Sequence, residues 1–263
     1  MVSVAVAQFS AGTDKSANLA TMAGLLDAAA GADLVVFPEY SMHATRALDD
    51  TVRSAAEPVD GPYAARVAEL AAAARTCVLY GMNEALPGAE RRVSNTLLLI
   101  GPDGGLRGTY RKIHLFDAFG FTESDRVRPG EPDQLLTFDL GGLTVGAMTC
   151  YDLRFPELAR RLVDAGADVL VVPAQWAPGP QKEDHWRLLA RARAVENTVY
   201  LAAAGQCAPT GAGNSLIVDP MGVPVAGLAE TSGVARAELD PARVATVRDR
   251  LPSLRHRRYR VVG

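Results

Sequence analysis

One phrase occurs twice in this chain. Ala30-Gly-Ala-Asp-Leu-Val-Val-Phe-Pro38 and Ala165-Gly-Ala-Asp-Val-Leu-Val-Val-Pro173 agree at six of nine positions. Each follows a helical pattern and closes a buried strand with proline. A second echo, in the same order, sets Asn95-Thr-Leu-Leu-Leu-Ile-Gly-Pro-Asp-Gly104 against Asn214-Ser-Leu-Ile-Val-Asp-Pro-Met-Gly222. Helix–glycine–strand–proline is a common phrase in α/β proteins and accounts for one match. Two matches in one order favour two similar halves. Two such halves, packed sheet on sheet with their helices outside, give a four-layer α-β-β-α sandwich. No Pro/Ser-rich linker divides them, so residues 1–263 are expected to form one domain. Repeat periods of 20–50 residues are absent, which excludes a solenoid.

The rest of the pattern agrees with an α/β chain. Strands are predicted at 2–8, 33–37, 76–82, 94–100, 106–111, 143–149, 168–172, 198–203, 215–218 and 233–239. Helices are predicted at 16–30, 62–75, 156–165 and 183–195, with Asp60 placed to cap the second of these. The apolar strand at the N-terminus has no basic segment before it and no cleavage site, so it is not read as a signal peptide. No apolar run approaches the ~18–20 residues of a membrane span. The 263 residues carry a formal charge of −3, which gives no global field for nucleic acid or an acidic membrane. Three widely spaced cysteines, Cys77, Cys150 and Cys207, make no disulfide framework and suit a reducing compartment. A cytoplasmic protein is expected. The tail 251–263, with Arg255, His256, Arg257, Arg258 and Arg260, reads as an arm laid on acidic surface of a partner subunit rather than as a nucleic-acid contact.

Several chemistries are missing. No phosphate-cradling Gly-x-x-x-x-Gly-Lys motif occurs, and Gly211-Ala-Gly213 lacks a third glycine and a strand–helix setting. No Gly-x-Ser-x-Gly elbow occurs. The four histidines are scattered without a ligand spacing, so neither a metal nor a cofactor is expected.

Three strand ends carry reactive side chains. Cys150 ends an apolar strand just before Pro156 opens a helix. A thiol there feels the helix N-terminus and free backbone N–H groups, although most lone cysteines are structural. Cys77 and Cys207 are read as structural. Glu39 follows Pro38 directly, where the other half of the repeat has Ala174, so the repeat itself does not require an acid. Lys112 ends the strand 106–111. It is one of only three lysines, with Lys15 and Lys182, among 27 basic residues. In an arginine-rich chain, a lysine in such a setting suggests a need for a compact ammonium. Glu123 either pairs with it or is a surface loop acid. An acid, an ammonium and a thiol together suit acyl transfer: a base generates the thiolate and a fixed cation stabilises the oxyanion.

Five segments then resemble the nitrilase (carbon–nitrogen hydrolase) superfamily. They are Phe37-Pro-Glu-Tyr40, Tyr110-Arg-Lys-Ile-His-Leu-Phe-Asp117, Met148-Thr-Cys-Tyr-Asp-Leu-Arg-Phe-Pro-Glu157, the stretch from His185 to Asn197, and Gly213-Asn-Ser-Leu-Ile-Val-Asp-Pro-Met-Gly222. The tail from Leu251 to Arg258 is similar to the family's C-terminal arm. The resemblance covers almost the whole chain. It implies the four-layer sandwich, with Glu39 as general base, Lys112 as oxyanion stabiliser, Cys150 as nucleophile and Glu123 as a second glutamate beside the lysine. The Tyr151 backbone N–H would complete the oxyanion hole. It also implies a homodimer or larger assembly.

Within the superfamily, Cys150-Tyr-Asp-Leu-Arg-Phe-Pro156 resembles the Nit-type amidases. Val199–Cys207 is similar to the deaminated glutathione amidases, and His114-Leu-Phe-Asp117 to the ω-amidases as well. One departure is the short stretch Ala-Phe-Gly-Phe-Thr between Asp117 and Glu123, shorter than that loop in either group. The implied partner is a small amide carrying a carboxylate, hydrolysed to free acid and ammonia, with deaminated glutathione ranked first and α-ketoglutaramate-like amides second. Arg154 either clamps that carboxylate or forms an ion pair with Glu157 or Asp152. Gln175 and Trp176 are candidate pocket walls, with core filling as the alternative for the tryptophan. A non-catalytic scaffold on the same fold is the competing class, and the presence of Glu39, Lys112 and Cys150 together argues against it.

Overall fold

The computed structural model describes residues 1–88 and 90–262, so Gly263 of the expected arm lies outside the described residues. The first sheet contains β1 (Val2–Gln8), β2 (Leu34–Val36), β3 (Cys77–Ala85), β4 (Val93–Ile100) and β5 (Leu106–Arg111). A two-stranded hairpin follows, β6 (Asp117–Ala118) and β7 (Phe121–Thr122). The second sheet contains β8 (Leu136–Leu140), β9 (Leu143–Ala147), β10 (Val169–Ala174), β11 (Tyr200–Gly205), β12 (Leu216–Val218) and β13 (Pro224–Gly227). The last strand, β14 (Gly233–Leu239), returns to the first sheet and pairs antiparallel with all seven residues of β1.

The two sheets are built alike. Their orders are β14-β1-β2-β3-β4-β5 and β8-β9-β10-β11-β12-β13. At each step the pairing sense is the same: antiparallel, parallel, parallel, antiparallel, antiparallel. The aspartate of the repeat explains part of this. Asp33 takes the backbone N–H of Ser3 on its carboxylate at 2.8 Å, and Asp168 takes that of Thr144 at 3.3 Å. Their own backbones then bridge to the neighbouring strands, through Cys77 in one half and Tyr200 in the other. One side chain therefore starts the central parallel strands in register in each half.

Alternation along the strands decides the layers. Val2, Val4 and Val6 of β1 face the second sheet and join Leu34, Leu79, Leu97, Val145 and Val171 in one core. Ala5, Ala7, Val35, Val78 and Tyr80 point the other way. They are covered by α1 (Lys15–Ala28) and α3 (Pro62–Ala74), while the short α2 (Thr51–Ala55) lies between these two in sequence. The second sheet is covered by α4 (Pro156–Asp164) and α5 (Lys182–Asn197). Strands buried on both faces read as nearly continuous apolar runs, which is why they are legible in the sequence. The sandwich with outer helices is thus the observed architecture.

Some expectations need correction. Asp60 does not cap α3: Gly61 is the capping residue without a side-chain bond, and Glu57 accepts the Tyr63 N–H at 2.7 Å instead. The strands β6, β7, β8 and β13 and the helices α2, α6 (Pro241–Arg250) and α7 (Ser253–His256) have no counterpart among the expected elements. The edge strand β8 has the partly exposed, mixed sequence Leu-Thr-Phe-Asp-Leu, a weak apolar signal. In the tail, Arg257 meets an acid of its own chain, pairing with both Asp164 oxygens at 2.6 and 3.1 Å. Among the described residues, no helix is long and apolar enough to cross a membrane.

Candidate active site

Three segments leave the ends of β2, β5 and β9, strands of both sheets, and meet. The chain leaves β2 through Pro38 into Glu39 and Tyr40, the latter with φ +57°. It passes so close to β3 that a Cβ on Gly81 would lie 2.6 Å from the Tyr40 nitrogen, so β3 carries glycine there. The chain leaves β5 directly into Lys112. It leaves β9 at Ala147, two residues before the predicted strand end, and Cys150 opens a single 3-10 turn, Cys150–Arg154, ahead of α4.

Cys150 is buried and adopts φ +47°, a left-handed conformation of the kind that costs about 1–3 kcal/mol and persists only where its surroundings enforce it. Asp152 supplies that enforcement. It accepts the Thr149 N–H at 2.9 Å, the Tyr110 hydroxyl at 2.6 Å and the His114 N–H at 3.0 Å. The His114 ring also contacts it at 2.8 Å and stacks on Phe155. Asp152 is thereby fully engaged and does not pair with Arg154.

Glu39, Lys112 and Glu123 form one buried cluster. The Lys112 ammonium donates to Glu39 Oε1 at 3.0 Å and to Glu123 Oε1 and Oε2 at 3.0 and 2.8 Å. Glu123 is therefore the buried partner and not a surface acid. It also accepts the Tyr40 hydroxyl and the Phe116 N–H. Asn95 Nδ2, on β4, donates to Glu39 Oε1 at 2.6 Å, and the Gln175 N–H donates to Glu39 Oε2 at 2.6 Å. Burial opposes the charge on Lys112, but Glu123 and Glu39 outweigh it and hold its pKa well above the usual lysine range. Burial, then the Glu39 charge, push the Cys150 thiol well above the ordinary cysteine range, against the opposing pull of Lys112. The resting thiol is thus protonated and stands beside a carboxylate.

Glu39, Lys112, Glu123 and Cys150 line a cavity enclosing about 660 Å³, its solvent-open mouth included. Tyr151, Arg154, Gln175, Trp176 and Lys182 line it as well. Tyr151 packs edge-on against Phe116 and Phe155. Arg154 forms no ion pair with Glu157 or Asp152; its guanidinium lies 4.9 Å from the Trp176 ring centre and contacts His185 at 3.4 Å. Gln175 also ties two loops together through Thr45 and Thr210. Trp176 is both wall and filler: its ring packs on Trp186 and its N–H donates to the Lys182 carbonyl. Cys77 and Cys207 do not line the cavity. Sequence reasoning missed Asn95, Tyr40 and Lys182. Asn95 and Tyr40 stood inside motifs already noted, and Lys182 was one of the three scarce lysines. Among the described residues, no group of His, Cys, Asp or Glu side chains is arranged to hold a metal ion.

Comparison with known proteins agrees with this geometry. The Carbon-nitrogen hydrolase family model matches residues 3–249. A Mycobacterium tuberculosis protein described as a hydrolase is 42% identical over 271 residues, 96% of this chain and 94% of its own. The deaminated glutathione amidase of Escherichia coli O157:H7 is 44% identical over 174 residues, 66% of each chain. The crystal structure of Saccharomyces cerevisiae Nit3, a member of branch 10 of the nitrilase superfamily, superposes with a TM-score of 0.86 at 31% identity, covering 98% of this chain and 97% of that one. The chain belongs to the carbon–nitrogen hydrolase family of the nitrilase superfamily and is a hydrolase of carbon–nitrogen bonds other than peptide bonds.

Proposed function

We propose that the protein is a cysteine amidase acting on a small amide that carries a carboxylate, with deaminated glutathione as the first candidate. The observation that carries the reading is the buried Glu39–Lys112–Glu123 cluster beside Cys150, the one cysteine that lines the cavity. Glu39 takes the thiol proton and the thiolate attacks the amide carbonyl carbon. The oxyanion that forms draws one N–H from Lys112 and the N–H of Tyr151, which as the second residue of a 3-10 turn has no partner within that turn. Glu39 returns the proton to the departing nitrogen, the carbon–nitrogen bond breaks, and a thioester remains on Cys150. Glu39 then activates a water that hydrolyses the thioester to the free acid and restores the thiol. Glu123 takes no proton in this scheme; it anchors the ammonium.

The leaving group depends on the amide. A primary ω-amide releases ammonia. Deaminated glutathione is a secondary amide, so its cleavage releases the amine of cysteinylglycine, and the expectation of ammonia does not extend to it. The carboxylate class is supported by Arg154, which faces the cavity without an acid of its own, and by the Escherichia coli relative's name. The test is kcat/KM for deaminated glutathione, α-ketoglutaramate, a neutral aliphatic amide and a nitrile. The reading predicts both acids ahead of the neutral compounds, with Arg154→Ala narrowing the gap. Preference for the neutral amide or the nitrile, unchanged by Arg154→Ala, would overturn it.

A further inference from the structure

Lys182 opens α5 on the cavity wall and is 9% exposed. Its ammonium sits among three aromatic rings, with centres at 4.8 Å (Phe116), 4.5 Å (Phe119) and 5.5 Å (Trp176). Rings of this kind attract a cation but offer it no hydrogen-bond acceptor. Among the described residues, none accepts a hydrogen bond from this ammonium and no carboxylate pairs with it, whereas Lys15 and Lys112 each hold glutamates. Arg154 lines the same cavity, shares the Trp176 ring with Lys182 and likewise has no acid; its Nε is buried without a partner. A nearly buried ammonium and a half-buried guanidinium facing one space, both without a carboxylate, are an unfavourable arrangement unless a ligand supplies the charge. Burial and the Arg154 charge hold the Lys182 ammonium below the usual lysine range, as expected of a cation awaiting a counter-ion.

We infer that Lys182, with Arg154, forms a two-cation subsite that seats a substrate carboxylate away from the scissile amide, making Lys182 the residue that selects anionic amides. The aromatic cage fixes the ammonium without neutralising it, so its three donors remain available to the ligand. The short β6–β7 hairpin brings Phe119 onto it, which gives the reduced loop a part in recognition. This inference rests on the amidase reading above. The carboxylate can lie on the acyl side of the amide or on the leaving amine, and the probes separate the two. Glutaramate carries it on the acyl side and N-butyrylglycine on the amine side; pentanamide and N-propylbutanamide are their neutral counterparts.

The experiment is calorimetric binding to the full chain carrying Cys150→Ala, with and without Lys182→Met, a substitution of similar length that keeps the cage filled. The account predicts that at least one carboxylate binds more tightly than its neutral counterpart. Lys182→Met should weaken it about tenfold to hundredfold, the scale of one charge-assisted hydrogen bond, and leave the neutral amides within about twofold. Lys182→Arg should retain part of the affinity. Equal affinities for charged and neutral probes, no binding of either carboxylate, or a Lys182→Met loss shared by the neutral amides would each overturn the inference. Turnover by the unmodified enzyme separates the two readings. If carboxylated amides are hydrolysed but their binding ignores Lys182, the subsite fails and the amidase stands. If no amide is hydrolysed, the amidase reading fails whatever Lys182 does.

Discussion

Replacing Lys112 with methionine removes three charge-assisted hydrogen bonds and leaves Glu39 and Glu123 facing each other without their shared cation. Both side chains are only 2% exposed, so water cannot take its place. Stripping one partner from a buried ion pair costs about 3–5 kcal/mol. Two anions lose their partner here, but four donors remain: Asn95 and the Gln175 N–H on Glu39, Tyr40 and the Phe116 N–H on Glu123. A loss of about 4 kcal/mol at pH 8 is expected. The variant relieves the strain by protonating a carboxyl, so its folded-state pKa lies above the unfolded one. Such a group stabilises the fold below its unfolded pKa, and that contribution is lost as pH rises through the folded pKa. The deficit relative to the unmodified protein should therefore shrink from pH 8 to pH 5.5. Urea denaturation at the two pH values measures it. A deficit below about 1 kcal/mol, or one equal at both pH values, would refute the description of a charged, mutually dependent buried cluster.

Three further outcomes follow from the same geometry. Lys112→Arg should be nearly inactive with charge retained, because a planar guanidinium cannot fill the place of a compact ammonium held at 2.8–3.0 Å by three carboxylate oxygens; near-normal kcat would mean that Lys112 does not meet the oxyanion. Asn95→Leu should lower kcat about tenfold to hundredfold with little change in KM, since it removes the 2.6 Å donor that orients Glu39; a change confined to KM would make Asn95 a binding residue instead. Because burial and Glu39 raise the Cys150 pKa, its alkylation by iodoacetamide should still be accelerating with pH above the ordinary cysteine value of about 8.5, whereas a rate that levels off by pH 8 would contradict that direction.

The sequence made the sandwich legible because its parallel strands are buried on both faces and because the repeat marks equivalent strands. Asp33 and Asp168 recur since each starts a strand pairing in its own half. Edge elements were less legible: β8 is half-exposed and mixed in composition, and β13 is a short, mostly exposed Pro-Val-Ala-Gly segment. At the site, strand ends drew attention to Glu39, Lys112 and Cys150, yet their convergence depends on loop geometry such as the passage of Tyr40 over Gly81. Asn95 was visible only as part of an echo, because the bond it makes crosses between strands. Lys182 was hidden for a related reason: its cage is assembled from Phe116, Phe119 and Trp176, which are distant from it or merely apolar in sequence.

The central claim is that Cys150 carries the acyl group. Rapid quenching of the enzyme in acid during turnover, followed by intact-mass and peptide mapping, tests it directly. The account predicts a single acyl adduct of the substrate's acid portion on the peptide containing Cys150, absent from Cys150→Ala, with Cys77→Ala and Cys207→Ala still forming it. An adduct on Cys77 or Cys207 with Cys150 free, or undiminished turnover by Cys150→Ala, would contradict it.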